Sequence, residues 1–103
     1  MKYRKVTAII PKISREKVEE ELMAIDVPGM TVSKAHGMGD YRNYYTKDYM
    51  TDCSRLEIFI EADKAKLVAR TIAQTVHQGM SSDGVIAILP VEEFIHIKDY
   101  MEE

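Results

Sequence analysis

Two glycines separated by a single residue, Gly37 and Gly39, have a spacing that suits contact between the backbone and a phosphate group. Because glycine has no side chain, such a pair lets the backbone approach an anion closely and donate its amide hydrogens. The same glycines also suit a simple turn between a strand and a loop, which is the alternative interpretation. From the residues alone, both interpretations of the segment Gly37-Met38-Gly39 stay open.

A second candidate of the same kind is the segment Ser81-Ser82-Asp83-Gly84. Serine hydroxyls and the backbone amides of a tight turn can donate hydrogen bonds to a phosphate. A plain connection between a helix and a strand has the same composition, so both interpretations stay open at this point.

Four tyrosines cluster in the middle of the chain, at Tyr41, Tyr44, Tyr45 and Tyr49. No apolar stripe accompanies them, and a long segment without a core pattern is typical of a functional loop. Aromatic side chains with polar tips are well suited to contacts with a protein partner. We therefore expect residues 40–52 to be mobile and to become ordered against a partner. The alternative is a solvated loop, or tyrosines that pack on the protein's own assembly.

Residue types that bind metals or perform acid–base chemistry are scattered. His36, Cys53 and His96 are the metal candidates, but their spacing matches no local metal motif, and we predict no metal site. Asp40, Asp83 and His36 could move protons, yet no signature assembles them with a nucleophile. The sequence therefore predicts a protein that is not an enzyme.

Length and composition favour a single domain spanning residues 1–103. Charged residues make up 30% of the chain and the net charge is −3, which argues against a nucleic-acid surface because that requires concentrated positive charge. The single cysteine excludes an internal disulfide and fits a reducing compartment. With no apolar run long enough to cross a bilayer and no convincing signal peptide, we expect a cytoplasmic location.

Hydrophobic periodicity divides the first half of the chain into a strand, a helix and a strand. Alternation over residues 3–10 places Val6, Ala8 and Ile10 on one face of a strand. Ser14 is predicted to cap a helix that ends near Asp26, with Ile13 and Val18 forming a hydrophobic staple. A second strand over residues 30–35 leads into the glycine pair.

The second half repeats this order. Residues 56–61 alternate as a half-buried strand, and Asp63 is predicted to cap a helix over residues 64–78 that ends at Gly79. The apolar stripe of that helix consists of Leu67, Val68, Ile72 and Val76. Residues 85–90 are apolar on both faces, which is typical of a strand covered on both sides, and the tail is predicted to add one more short strand.

This order predicts an α+β, ferredoxin-like βαββαβ fold with an antiparallel sheet. Two helices can cover only one face of such a sheet. Ile9, Phe59 and alternate residues of 85–90 give the other face an apolar character, which predicts that a partner subunit covers it.

Three segments, VPGMTVSKAHGMG, LEIFIEAD and SSDGVIAILPVEEFIHIK, together resemble the PII signalling protein family, and the resemblance extends over nearly the whole chain. It implies a cytoplasmic homotrimer with the sheets facing inward and adenine nucleotides bound in the clefts between subunits. It further implies a mobile T-loop, about residues 39–54, that docks onto membrane transporters or enzymes. The short aromatic loop is closest to a divergent PII-like branch linked to cation or metal transport.

The resemblance also implies a set of site residues. The tyrosines Tyr41, Tyr44, Tyr45 and Tyr49 become the partner-binding loop. His96 and Lys98 of a neighbouring subunit are expected to complete a cleft near Thr31, Gly37, Gly39 and Gly84. The full set of nucleotide-binding candidates is Ile9, Thr31, Gly37, Met38, Gly39, Phe59, Ser81, Ser82, Asp83, Gly84, His96 and Lys98.

Several departures from the family pattern change the expected ligand. Tyr41 and Cys53 replace the glutamine and lysine of members that bind 2-oxoglutarate, which argues against an acid ligand of that kind. The phosphate-binding turn lacks one glycine and its lysine, and His96 and Lys98 replace a pair of arginines. Arginine pairs bidentately with phosphate while histidine and lysine do not, so nucleotide binding is expected to be weakened in favour of ADP or AMP over ATP, or lost.

The function expected from the sequence is a PII-like regulator that senses a small effector, ADP, AMP or ATP, and acts on a transporter or other partner through its loop. No cofactor is required and no nucleic acid is bound. The alternative is a metal-binding or partner-only ferredoxin-like module, linked to cation or metal transport, that senses no nucleotide.

Overall fold

The computed structural model describes residues 2–37 and 51–101, which form four strands and three helices. Three single turns of 3₁₀-helix, Lys12–Ser14, Ala62–Lys64 and Ser81–Asp83, precede α1, α2 and β4. The elements in chain order are β1 Tyr3–Pro11, α1 Arg15–Ala24, β2 Thr31–Gly37, β3 Thr51–Glu61, α2 Ala65–Val76, β4 Val85–Val91 and α3 Ile97–Met101.

The four strands form one antiparallel sheet in the order β2-β3-β1-β4. The first and last strands of the chain are therefore neighbours, and β3 lies between β1 and β2. With two helices that join strands on the same side of the sheet, this is the ferredoxin-like α+β arrangement, as the sequence predicted.

The core lies between the helices and one face of the sheet. Alternate residues of β1 and β3 point into it, which confirms the predicted alternation. The α1 residues Val18 and Leu22 are fully buried against this face. The buried sheet residues are Val6, Ala8, Ile10, Leu56, Ile58 and Ile60, and those of α2 are Ala65, Val68, Ile72 and Val76.

The opposite face of the sheet, which we call the open face, carries exposed apolar side chains. Cross-strand pairing places Leu89 beside Lys5 and Val85 beside Ile9 on this face. Val85 is 47% exposed, Leu89 42% and Phe59 40%. The edge strand β4 is thus apolar without being covered within one chain, which agrees with the expectation that a partner covers it.

Both predicted helix starts are wrong in detail. Each helix is entered through a 3₁₀ turn, and neither Ser14 nor Asp63 makes a side-chain capping hydrogen bond. Ile13 is 92% exposed, so it forms no hydrophobic staple with Val18. The 3₁₀ turns tighten the backbone there and take over the role that the caps were expected to have.

The second helix also differs from its predicted face and end. Leu67 is half exposed, and Ala65 takes its place in the buried stripe. The helix ends at Val76, so Gly79, with φ of 83°, lies in the following turn rather than directly at the helix end.

Two further boundaries are corrected. Strand β3 begins at Thr51, so residues 51–54, assigned from the sequence to the loop, pair with β2 instead. Residues 51 and 52 therefore do not belong to the mobile segment predicted over residues 40–52. The tail forms the short helix α3, not a fifth strand. No helix in the described part of the chain is long and apolar enough to cross a membrane.

Candidate functional site

The residues nominated for ligand binding separate into two groups at opposite ends of the sheet. Thr31 and Gly37 are the first and last residues of β2. A strand rises about 3.3 Å per residue, so roughly 20 Å separates them. Within one chain, Thr31 and Gly84 line different cavities. The cleft predicted from the sequence lies between subunits and stays a prediction.

Thr31 and Phe59 border a groove of about 470 Å³. It lies toward the end of the sheet where β1 begins and β4 ends, which we call the lower end, and we call it the lower groove. It opens between the start of β2, the end of β3 and the segment after β4. His96 lines the groove of its own chain, together with Thr31. The complete lining is Tyr3, Pro28, Gly29, Met30, Thr31, Glu57, Phe59, Phe94 and His96.

Phe94 contacts the other aromatic side chains of the lower groove. Its ring stacks on Tyr3 with the centroids 4.5 Å apart and an interplanar angle of 19°. Phe59 lies 5.3 Å away on another side, and His96 meets the Phe94 ring edge-on at 5.2 Å. Four rings in contact form a preorganised surface on which a flat heteroaromatic base can stack.

Glu57 supplies the acidic group of the lower groove. Its Oε2 lies 3.6 Å from Nζ of Lys5, and its Oε1 lies 3.6 Å from Nε of Arg55. These ion pairs hold the carboxylate against the open face. Since a carboxylate accepts hydrogen bonds, Glu57 can accept one from the exocyclic amino group of a base.

The turn over residues 77–84, which we call the upper turn, lies at the other end of the sheet, where β1 ends and β4 begins. Gly84 adopts a φ of 115°, a backbone conformation that is strained for residues with a side chain. A Cβ atom at Gly84 would lie 2.0 Å from the carbonyl oxygen of Ile9, so only glycine lets the turn press against β1. Gly37 ends β2 at this same end of the sheet, paired with Thr51.

Asp83 holds the upper turn together. Its Oδ2 accepts hydrogen bonds from the backbone amides of Gln78 at 2.8 Å, Gly79 at 3.0 Å and Met80 at 3.4 Å. The bond from Gln78, followed by those from Gly79 and Met80 and the nearby His77, holds the pKa of the Asp83 carboxyl below its ordinary value of 3.8, against the opposing effect of desolvation. Asp83 is therefore ionised at neutral pH.

Ser81 is exposed and Ser82 half-buried, and both lie in the 3₁₀ turn beside Asp83. Asp83 and Gly84 also line a small cavity of about 120 Å³ above Ile10 and the end of α2. The upper turn thus brings together Ile9 and the segment Ser81–Gly84. Lys98 is exposed on α3 and does not line the lower groove.

Met38, Gly39 and the four tyrosines lie outside the described residues. The metal candidates lie apart: Cys53 is buried, His36 is half exposed on the neighbouring strand, and His96 is at the other end of the sheet. Across residues 2–37 and 51–101, no group of three or more His, Cys, Asp or Glu side chains could hold a metal ion.

Six residues that line the lower groove were not predicted from the sequence, and three of these, Tyr3, Glu57 and Phe94, supply aromatic rings or the carboxylate. Phe94 was placed in a short strand of the tail, although aromatic residues are few in this chain. Phe59 and Phe94 stand far apart in the sequence, so their contact is evident only in the folded chain.

Comparisons with known proteins agree with this fold. The family model described as "Nitrogen regulatory protein P-II" matches residues 3–100. A protein of that name from Azospirillum brasilense is 29% identical over 92% of this chain and 91% of its own length. Nitrogen regulatory protein P-II 1 of Methanothermobacter thermautotrophicus is 30% identical over 92% of this chain and 89% of its own length.

A solved structure gives the same result. The crystal structure of Arabidopsis thaliana PII bound to citrate superposes with a TM-score of 0.77 at 28% identity, covering 93% of this chain and 81% of that one. The strand order and the two packed helices define a ferredoxin-like domain. This chain belongs to the PII family of nitrogen regulatory proteins. It is a signalling protein and not an enzyme, and its family favours that role over the metal-binding or partner-only alternative.

Proposed function

We propose that this protein senses an adenine nucleotide in clefts between the subunits of a homotrimer and reports it to a partner protein. The observation that carries the proposal is that one chain supplies two half-sites at opposite ends of its sheet. The lower groove offers stacking rings for a base, and the upper turn offers glycine backbone and serine hydroxyls for phosphate. Neither half is a complete site.

A ring assembly completes such a site without any new residue. In a head-to-tail cyclic arrangement, one patch of each subunit meets a different patch of the next, and three rotations close the ring. The upper turn of one chain then faces the lower groove of its neighbour. The uncovered apolar residues of the open face, such as Leu89 and Val85, supply the buried surface that such a ring requires.

The base-binding role of the lower groove predicts the effect of replacing Phe94 by alanine. Loss of a stacked ring is worth about 1–3 kcal/mol per base, so AMP, ADP and ATP should all bind about tenfold more weakly. Isothermal calorimetry with the three nucleotides measures this. The matched control is Tyr100→Ala, which removes an aromatic residue that is 61% exposed on α3 and should leave the affinities unchanged. Equal affinities for Phe94→Ala and the unaltered protein would place the base elsewhere.

We infer that the loop over residues 40–50 transmits the signal. It docks on a membrane transporter or another regulated protein in the cytoplasm. The tyrosines and the charged residues between them support this, since aromatic groups dominate binding energy at protein interfaces. A ligand at the upper end of β2 lies where the chain enters the loop at Gly37. It can therefore favour one loop conformation over another through differential affinity.

A variant with Tyr44, Tyr45 and Tyr49 replaced by alanine tests the output. We expect it to stay trimeric and to keep its nucleotide affinity within about threefold, yet to lose capture of its partner from a membrane extract, since each central tyrosine contributes roughly 1–3 kcal/mol to docking. Native mass spectrometry, calorimetry and a pull-down measure the three properties. Collapse of the trimer would show that the tyrosines pack within the assembly instead.

A further inference from the structure

Three charged side chains lie among the apolar residues of the open face. Lys5 of β1 and Arg55 and Glu57 of β3 belong to this face because they alternate with the buried residues of the same strands. Oε2 of Glu57 lies 3.6 Å from Nζ of Lys5, and its Oε1 lies 3.6 Å from Nε of Arg55. Two cations therefore share one carboxylate, which leaves one positive charge unbalanced in each chain.

The rest of the open face does not balance this charge. The open-face residues of the two edge strands are uncharged: Thr31, Ser33, Ala35 and Gly37 in β2, and Val85, Ala87, Leu89 and Val91 in β4. Glu61, the other carboxylate of β3 on this face, is the last residue of the strand and lines a separate groove with Lys64. Within the described part of the chain, Glu57 is the only carboxylate that pairs with Lys5 or Arg55.

The charged group also lies where a ring assembly would enclose it. In the strand order β2-β3-β1-β4, β1 and β3 are the central strands and β2 and β4 are the edges. In a ring that buries the open face, the edges meet the neighbouring chains and the central strands lie nearest the threefold axis. Three copies of Lys5, Arg55 and Glu57 would then surround this axis, each set with one excess positive charge.

Enclosure makes this excess charge unfavourable. A cation that is removed from water without a partner destabilises the structure that encloses it, and like charges around one axis repel each other. Because the three chains are identical, the open face of a neighbour brings the same excess and cannot neutralise it. An anion taken up from the solvent can neutralise all three sets at once.

We propose that the ring binds one inorganic oxyanion, of the class of phosphate or sulfate, on its threefold axis between the three Lys5 side chains. This inference rests on the homotrimer of the proposed function, but the site is distinct from the nucleotide clefts. Ammonium groups donate charge-assisted hydrogen bonds to such an anion, and Nζ of Lys5 lies 5.8 Å from the centroid of the Phe59 ring, on the open face. The site holds one anion per ring, whereas nucleotide clefts between subunits would number one per chain.

Calorimetry of the nucleotide-free trimer with inorganic phosphate tests the site. We expect one phosphate bound per three chains, and saturating AMP should not displace it. Since this phosphate binds the ring and not the separate chains, it should also stabilise the assembly. At a phosphate concentration about tenfold above its Kd, the dissociation constant of the trimer should fall about tenfold relative to sodium chloride of equal ionic strength.

The variant Lys5→Met removes the excess charge. Methionine keeps an unbranched side chain beside Phe59, and Glu57 and Arg55 then balance each other. The variant should stay trimeric and bind phosphate at least about tenfold more weakly. The matched control Lys66→Met removes an exposed lysine of α2 and should keep the affinity of the unaltered protein. Comparison of the two variants also corrects for the general stabilisation of folded proteins by phosphate, which needs no binding site.

A second variant, Glu57→Gln, changes the charge in the opposite direction. It leaves two unbalanced cations in each chain, so the ring should bind phosphate about tenfold more tightly and depend on it more for assembly. This opposite effect keeps the proposal testable even if Lys5→Met fails to fold.

The outcomes separate this site from the nucleotide clefts. A trimer that binds no phosphate, or phosphate that AMP displaces or that Lys5→Met binds equally well, would overturn the axial site and leave nucleotide sensing intact. A trimer that binds one phosphate but none of AMP, ADP and ATP would overturn nucleotide sensing and leave the axial site intact. A chain that stays monomeric with and without phosphate would overturn the assembly on which both proposals rest.

Discussion

A chain in which Leu89 is replaced by lysine is expected to stay folded but to lose its trimeric assembly. Leu89 lies on the open face of the edge strand β4, away from the helices, so the substitution leaves the core of one chain untouched. In a ring that buries the open face, the new ammonium group would be removed from water without a partner. That costs roughly 3 kcal/mol or more at each interface, which native mass spectrometry at micromolar concentration should show as a shift to monomer.

The matched control is Leu67→Lys. Leu67 is 50% exposed on the outer side of α2, close to the 42% of Leu89, but it faces away from the sheet. It should remain trimeric because no interface is expected there. A trimer that survives Leu89→Lys, or is lost equally in Leu67→Lys, would contradict an assembly through the open face.

Replacing Gly84 by alanine is expected to destabilise the fold by about 2–4 kcal/mol. The added Cβ would lie 2.0 Å from the carbonyl oxygen of Ile9, and the backbone would keep a φ of 115°, at which only glycine is unstrained. Relief of the clash would pull the upper turn away from β1. Urea unfolding followed by circular dichroism measures the loss of stability, and nucleotide affinity should fall with it.

Gly29 provides the comparison for this substitution. A Cβ atom there meets nothing within 4 Å, and the backbone does not have the strained φ of Gly84. Gly29→Ala should therefore change stability by less than about 1 kcal/mol, because it mainly restricts the unfolded chain. Similar losses for the two variants would show that the contact between Gly84 and Ile9 does not fix the upper turn.

The strands could be predicted from the sequence because their periodicity reflects burial directly. Val6, Ala8 and Ile10 alternate with residues of the open face, and the same holds for Leu56, Ile58 and Ile60, all of which are buried as expected. Alternation with a period of two has no competing interpretation over such a length. The order of the elements then limits the topology to few arrangements.

The helix starts and the tail could not be predicted in the same way. Ser14 and Asp63 are residue types that often cap helices. The 3₁₀ turns that lead into α1 and α2, however, depend on the direction of the chain where each strand ends. Phe94 sits in an apolar, strand-like sequence, yet it stacks on Tyr3 and Phe59 instead of extending the sheet. Tertiary contacts decided these cases over local preference.

The sequence named candidate site residues, which stay predictions, but it did not indicate how they are arranged in space. Thr31 and Gly37 are six positions apart in the sequence, but an extended strand holds them at opposite ends of β2. The sequence predicted a glycine at the end of the helix, but it did not indicate that three amides of the turn would donate hydrogen bonds to the Asp83 side chain. The distance between two residues of a strand and the directions of turn amides are set by the folded backbone, so local residue types do not indicate them.

The most direct test of a ligand site shared between subunits uses two variants that damage different halves. Ser81→Glu adds negative charge at an exposed position of the upper turn, and Phe94→Ala removes the stacked ring of the lower groove. The two chains, carrying different tags, are co-expressed and mixed trimers are purified by both tags. Binding of AMP to these trimers is then measured by calorimetry beside each variant alone.

If the upper turn of one chain meets the lower groove of the next, a mixed ring of three contains roughly one intact site, made by the undamaged half of each variant. We therefore predict that AMP binding, weak in either variant alone, returns in mixed trimers at about one site per ring with the affinity of the unaltered protein. Mixed trimers that bind no better than the separate variants would contradict a site shared between subunits.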